Sequence, residues 1–152
     1  MKLITCSILL FCWVAWAQNN GALSVAPLER SAVKRGDSFT AKVSAEVRSG
    51  YHVNSNAPAD EYLIPLKLSW TKSPLEVEQV IYPKPQFEKY DFSPQPVSVF
   101  SGSFEIRTNF KAAPNAAAGL TTISGKLRYQ ACNNKECLPP KTIDLQLPVN
   151  IQ

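Results

Sequence analysis

Long apolar runs, helical periodicity, charge concentrated in one sign and histidine are all scarce in this chain, and each shortage removes a class of function. After residue 17 no stretch approaches the roughly 20 apolar residues that a membrane-spanning helix needs. No basic run exceeds Lys34-Arg35, so the positive face with which a protein holds phosphate backbones is missing and no nucleic-acid partner is expected. His52 is the single histidine. With the cysteines near the C-terminus it could supply three zinc ligands at most, without the paired spacing of a structural site, so neither a metal nor another cofactor is expected. The carboxylates Asp60, Glu61, Glu76 and Glu78 are dispersed and form no hydrolase constellation. His52 lies in an apolar stretch and reads as structural, and Asn54 and Asn56 read as residues that hold turn geometry.

What is present begins with a leader. Lys2, the apolar run Leu3 to Val14 and then Ala15-Trp16-Ala17 follow the order of a secretory signal peptide, residues 1–17, cut after Ala17. Cys6 and Cys12 would leave with it. Use of Cys12 as a lipid-modified residue is disfavoured by Phe11, which is bulky where that processing needs a small side chain. The expected product, residues 18–152, is a periplasmic or otherwise exported monomer of one domain with a single hydrophobic core. Its scattered charges, fifteen basic against twelve acidic once Lys2 is gone, serve solubility.

Two cysteines then remain, Cys132 and Cys137, separated by the turn-type residues Asn133-Asn134-Lys135 and by Glu136. The flanking segments Leu120 to Tyr129 and Thr142 to Val149 are strand-like, which describes a hairpin with a cysteine on each arm. Paired positions near a tight turn can meet the Cα separation of roughly 4.4–6.8 Å that a disulfide requires. An oxidising compartment favours the bond. A structural bridge gains stability with the length of the loop it closes, and this loop is very short. Small exposed bridges, by contrast, tend to be labile. The residues alone leave the structural and the redox-active uses level. A strand hairpin offers no helix N-terminus to acidify a thiol, and Lys135 favours a thiolate that Glu136 opposes, so weakly perturbed thiols are expected.

The rest of the chain reads as short strands. Leu23 to Leu28 is a first candidate, and Phe39, Ala41, Val43, Ala45 and Val47 alternate with mostly polar residues at the period of a half-buried strand. Further extended runs begin at Gly50, cover Leu66 to Trp70 and Leu75 to Tyr82, and occupy Val97 to Phe110. Twelve prolines spread along the chain argue against helices. Seven or eight strands without intervening helices predict an all-β fold, an immunoglobulin-like antiparallel β-sandwich, with Trp70 in its core. Ala112 to Gly119 is a predicted loop. Tyr82 to Pro96, rich in aromatics and proline, is predicted to be a long loop over one end of the sandwich.

The runs Gly50-Tyr51-His52-Val53-Asn54-Ser55-Asn56, Tyr62 to Leu68, Val99 to Ile106, Tyr129-Gln130-Ala131-Cys132 and Cys137-Leu138-Pro139-Pro140 resemble, in that order, the N-terminal domain of the bacterial thiol:disulfide interchange protein DsbD. That resemblance implies a redox pair, Cys132 and Cys137, that takes electrons from a thioredoxin-like donor and passes them to periplasmic oxidoreductases. It implies thiol:disulfide interchange activity of the protein-disulfide reductase type, dependent on a partner, with Cys137 forming the mixed disulfide with the donor. It also implies a short loop whose aromatic residue caps the cysteines. Phe100 matches best, with Tyr90 and Phe92 as alternatives. The acidic residues that family members can carry before that aromatic are replaced here by Pro94-Gln95-Pro96-Val97-Ser98, which removes the ground for carboxylate-assisted proton transfer. With no apolar span after Ala17, the donor and a membrane electron conductor are expected to be encoded separately. The alternative is a noncatalytic exported binding module whose short disulfide pins a hairpin.

Overall fold

The computed structural model describes residues 21–152. The predicted leader, its cleavage point, Cys6 and Cys12 lie outside the described residues. Twelve strands follow one another: β1 (Leu23–Val25), β2 (Ser31–Val33), β3 (Ser38–Val47), β4 (His52–Asn54), β5 (Lys67–Trp70), β6 (Leu75–Ile81), β7 (Gln86–Glu88), β8 (Val97–Phe100), β9 (Ser103–Ala112), β10 (Gly119–Tyr129), β11 (Ala131–Cys132) and β12 (Lys141–Ile151). Among the described residues there is no helix, hence none long and apolar enough to cross a membrane.

The strands form an immunoglobulin-like sandwich of two sheets, ordered β1-β3-β9-β6 and β2-β12-β10-β5, with a third sheet ordered β11-β4-β8-β7. Alternation explains the layering. In β3 the residues Ala41, Val43, Ala45 and Val47 are buried while their neighbours are exposed, as expected for a strand with one wet face. Val43 and Ala45 meet Ile106 of β9, Leu127 of β10 and Leu145 of β12 in one apolar cluster, and Phe110, Ile123, Leu147 and Val149 build a second. Trp70 ties the two layers together. Its indole Nε1 donates to the hydroxyl of buried Thr108 in β9 at 3.0 Å, and its ring meets Phe110 edge-on. Gly125 sits opposite Trp70 in β10 because the ring occupies the space its side chain would fill.

Two boundaries differ from the sequence expectation. The run from Val97 to Phe110 is two strands, parted at Ser101-Gly102, where Gly102 adopts φ 64° and sends the chain from the third sheet into the first. The segment Tyr82 to Pro96 is not an unbroken loop, because Gln86–Glu88 pairs antiparallel with Val97–Val99 as the edge of the third sheet. β10 and β12 pair without interruption from Gly119↔Ile151 to Tyr129↔Lys141 and form a long hairpin. The cysteines lie in the connection between these arms.

A disulfide at the tip of the long hairpin

Beyond Tyr129 the chain leaves its partner β12 and turns toward the third sheet, where Ala131 pairs with Val53 and Cys132 with His52. Alternation along Tyr129-Gln130-Ala131-Cys132 now assigns the faces. Tyr129 and Ala131 join the first core cluster together with Val53, so Gln130 and Cys132 point the other way. Paired residues share a face, which puts His52 beside Cys132 and Asn54 two residues further along β4 on that same side. Cys132 is fully buried and Cys137 only partly so.

Cys132 and Cys137 form a disulfide with Cα atoms 3.9 Å apart, closer than the separation anticipated from the sequence. The turn they bridge is also held by the backbone. Asn133 N–H donates to Glu136 C=O at 2.9 Å, and Leu138 N–H donates to Ala131 C=O at 2.8 Å. The Asn133 side chain accepts from the N–H groups of Lys135 and Glu136 at 2.8 and 2.9 Å, a turn that asparagine closes on itself. Asn134, Lys135 and Glu136 are exposed.

The expected aromatic candidates separate cleanly. Phe100 was expected in a loop, but it ends β8, lies opposite Val53, and is buried in the core cluster against Phe104. Its ring therefore belongs to the face of the third sheet opposite to the disulfide. Tyr90 and Phe92 lie on the disulfide's side. Tyr90 stacks on His52 with ring centroids 4.0 Å apart, Phe92 stacks on Tyr90 at 5.3 Å, and both belong to a small apolar cluster with Leu63, Val97, Val99 and Cys137. The loop bearing them is fixed by its own bonds: Lys89 Nζ donates to the carbonyls of Ser93 and Pro94, and Ser93 Oγ to that of Gln95.

His52 is buried, as an apolar strand position suggests, and its Nε2 has no hydrogen-bond partner among the described residues. Burial lowers its pKa, against a smaller opposing pull from Glu88. Glu88 is a carboxylate near the site that sequence reasoning passed over. It accepts from the Tyr90 hydroxyl, whose pKa is pushed up by burial and by that bond. Among the described residues no three His, Cys, Asp or Glu side chains converge as a metal site would require.

Asn54 corrects a second expectation. It holds no turn but lies fully buried in β4, where its Nδ2 donates to Ile64 C=O and to Gln130 Oε1, each at 3.0 Å. Gln130 also accepts from Ile64 N–H at 3.0 Å and donates to Leu138 C=O at 3.2 Å. Asn54 Oδ1 is left 4.0 Å from Cys132 Sγ. Asparagine after a tyrosine, histidine and valine looks like a strand end, and only the pairing partner of β4 reveals its neighbours.

Solved structures share this fold. The N-terminal periplasmic domain of ScsB from Proteus mirabilis superposes with a TM-score of 0.54 at 15% identity over 82% of this chain. This chain covers only 44% of that one. The reduced DsbD N-terminal domain of Neisseria meningitidis gives a TM-score of 0.51 at 16% identity, covering 85% of this chain and 86% of that domain. No curated protein sequence matches the chain. The family described as thiol:disulfide interchange protein DsbD, N-terminal, matches residues 22–148, which is nearly all of the described fold and includes both cysteines. The chain belongs to that family.

Proposed function

We propose that this protein is a periplasmic carrier of reducing equivalents, in which the Cys132–Cys137 disulfide is opened by a thioredoxin-like donor and re-formed by passing the electrons to an exported oxidoreductase. The observation that carries this reading is the disulfide's setting: one sulfur partly exposed, the other buried, across a turn that backbone and Asn133 hydrogen bonds already hold. A bond so placed adds little to the fold, and its loss leaves the turn its other supports. In-line attack needs access to a sulfur, and Cys137 offers it. The donor thiolate attacks Cys137 Sγ, a new S–S bond forms there, and the electron pair of the old bond remains on Cys132. The donor's second thiol then resolves the mixed disulfide and leaves the dithiol. Tyr90 and Phe92 act as the cover that keeps small thiols from the pair, a role supported by their stacking over His52 and their packing with Cys137.

The test is covalent trapping. With Cys132→Ser, Cys137 has no intramolecular partner and is expected to hold an exported thioredoxin-like protein as a mixed disulfide visible on nonreducing gels. The reciprocal Cys137→Ser chain is expected to trap far less. Trapping by Cys132 alone would reverse the roles, and trapping by neither would replace the carrier by a binding module with a structural bridge.

A further inference from the structure

The donor and acceptor atoms around Asn54 admit only one arrangement. Ile64 N–H can only donate and Leu138 C=O can only accept, so Gln130 must present Oε1 to the first and Nε2 to the second. Gln130 Oε1 then requires a donor from Asn54, and Ile64 C=O requires one as well, which commits the Asn54 amide nitrogen to both. The Asn54 carbonyl oxygen has no freedom left and faces Cys132 Sγ, in a place where the sulfur has no solvent exposure. A buried carbonyl beside a sulfur accepts a hydrogen bond from a thiol and repels a thiolate.

We propose that Asn54, oriented by Gln130, holds Cys132 as a neutral thiol in the reduced protein, so that the two cysteines of the pair take different parts in exchange. Asn54 contacts the reacting sulfur, and Gln130 is a positioning residue that acts through it. The proposal rests on the carrier reading for its consequence. When a donor thiolate bonds to Cys137 Sγ, the electron pair of the broken disulfide goes to Cys132 Sγ, which takes up the equivalent of the proton that the donor thiol gave up on becoming a thiolate and hydrogen-bonds through it to Asn54 Oδ1. A protonated Cys132 does not attack back, so the mixed disulfide proceeds to the donor's second thiol rather than reversing. The ionisable groups nearest to Cys132 do not supply this effect. His52 opposite it in β4 has its pKa lowered by burial, which disfavours a positive charge there, Tyr90 is stacked on His52 and bonded to Glu88 of β7, and Lys135 and Glu136 are exposed on the turn with opposite charges.

The test titrates Cys132 through its 13Cβ resonance in the Cys137→Ser chain, where a single thiol of the pair remains. With Asn54 present, the midpoint is expected above the ordinary cysteine value of about 8.5. Asn54→Ala removes the acceptor and should lower the midpoint by about one pH unit, Gln130→Ala should lower it less, and Asn54→Asp should raise it further by placing a carboxylate at the sulfur. A purely architectural role predicts that Asn54→Ala and Asn54→Asp shift the midpoint the same way, because both lose the Nδ2 bonds; that result, or no shift in either, overturns the proposal. If Asn54→Asp does not fold, the Raman S–H stretch of Cys132 decides: a lower frequency with Asn54 than with Asn54→Ala supports the hydrogen bond, and equal frequencies overturn it. Failure to trap a donor with Cys132→Ser is read separately, and would remove the carrier reading without touching the titration.

Discussion

Cys132 and Cys137 are chemically the same residue in two different media, one fully buried in β11 of the third sheet and one partly exposed after the turn. Beside them lies a stack of three rings, Phe92 on Tyr90 on His52, in a cluster that includes Cys137. If that stack is the barrier to small thiols, Tyr90→Ala and Phe92→Ala should each raise the rate of glutathione reduction severalfold while leaving the β spectrum unchanged. Phe100→Ala should do the opposite: it opens a core cavity at a cost of about 3–5 kcal/mol, seen as a lower denaturation midpoint, with a much smaller change in the glutathione rate. A Phe100 variant that folds normally and reduces quickly would return the covering role to that ring. His52 makes a prediction in pH. Burial holds its pKa below the ordinary 6.5, so as pH falls from there the unfolded chain binds a proton that the folded chain refuses, and stability declines until the lower folded value is passed. His52→Phe should flatten the dependence of unfolding free energy as pH falls below about 6.5. An unaltered slope would mean that His52 binds its proton equally well in the folded and the unfolded chain.

At the scale of elements, the β10–β12 hairpin works as a mast whose eleven paired positions carry the disulfide turn at its tip. Past its middle it is fixed against β5 by the contact of Trp70 with Gly125. A Cβ at Gly125 would stand 2.6 Å from Trp70 Cε3, so Gly125→Ala must displace the indole and strain its bond to Thr108. We expect a loss of about 1–3 kcal/mol by chemical denaturation and little effect on disulfide exchange, because the tip is anchored separately through β11 and β4. A stable variant would show that the ring is free to move. The elements differed in how visible they were in the sequence. β3 announced itself through alternation, and Tyr129-Gln130-Ala131-Cys132 carried the same period into the site, core residues alternating with site residues. β8 was read only as the start of a longer run into β9, because Val97, Ser98, Val99 and Phe100 are all buried and a strand without a wet face shows no period to mark its end. β7, three residues among prolines, was hidden by its brevity. Asn54 was misread for a related reason: asparagine favours turns in general, and only the long-range pairing with Gln130 gives a buried one its partners.

For the whole molecule, the sandwich buries two apolar clusters that contain neither cysteine, and the disulfide lies at the edge strand of the third sheet. The immunoglobulin-like class followed from strand spacing and the absence of helical period, whereas the burial and hydrogen bonding around the cysteines are encoded by no spacing. The central claim, that Cys132–Cys137 is a reversible carrier bond and not a staple, is tested most directly by its reduction potential, measured at equilibrium against a thiol redox buffer with circular dichroism recorded on the same samples. The account predicts a potential above about −300 mV and an unchanged β spectrum on reduction. A potential below about −300 mV, or loss of the β spectrum as the bond opens, would contradict it.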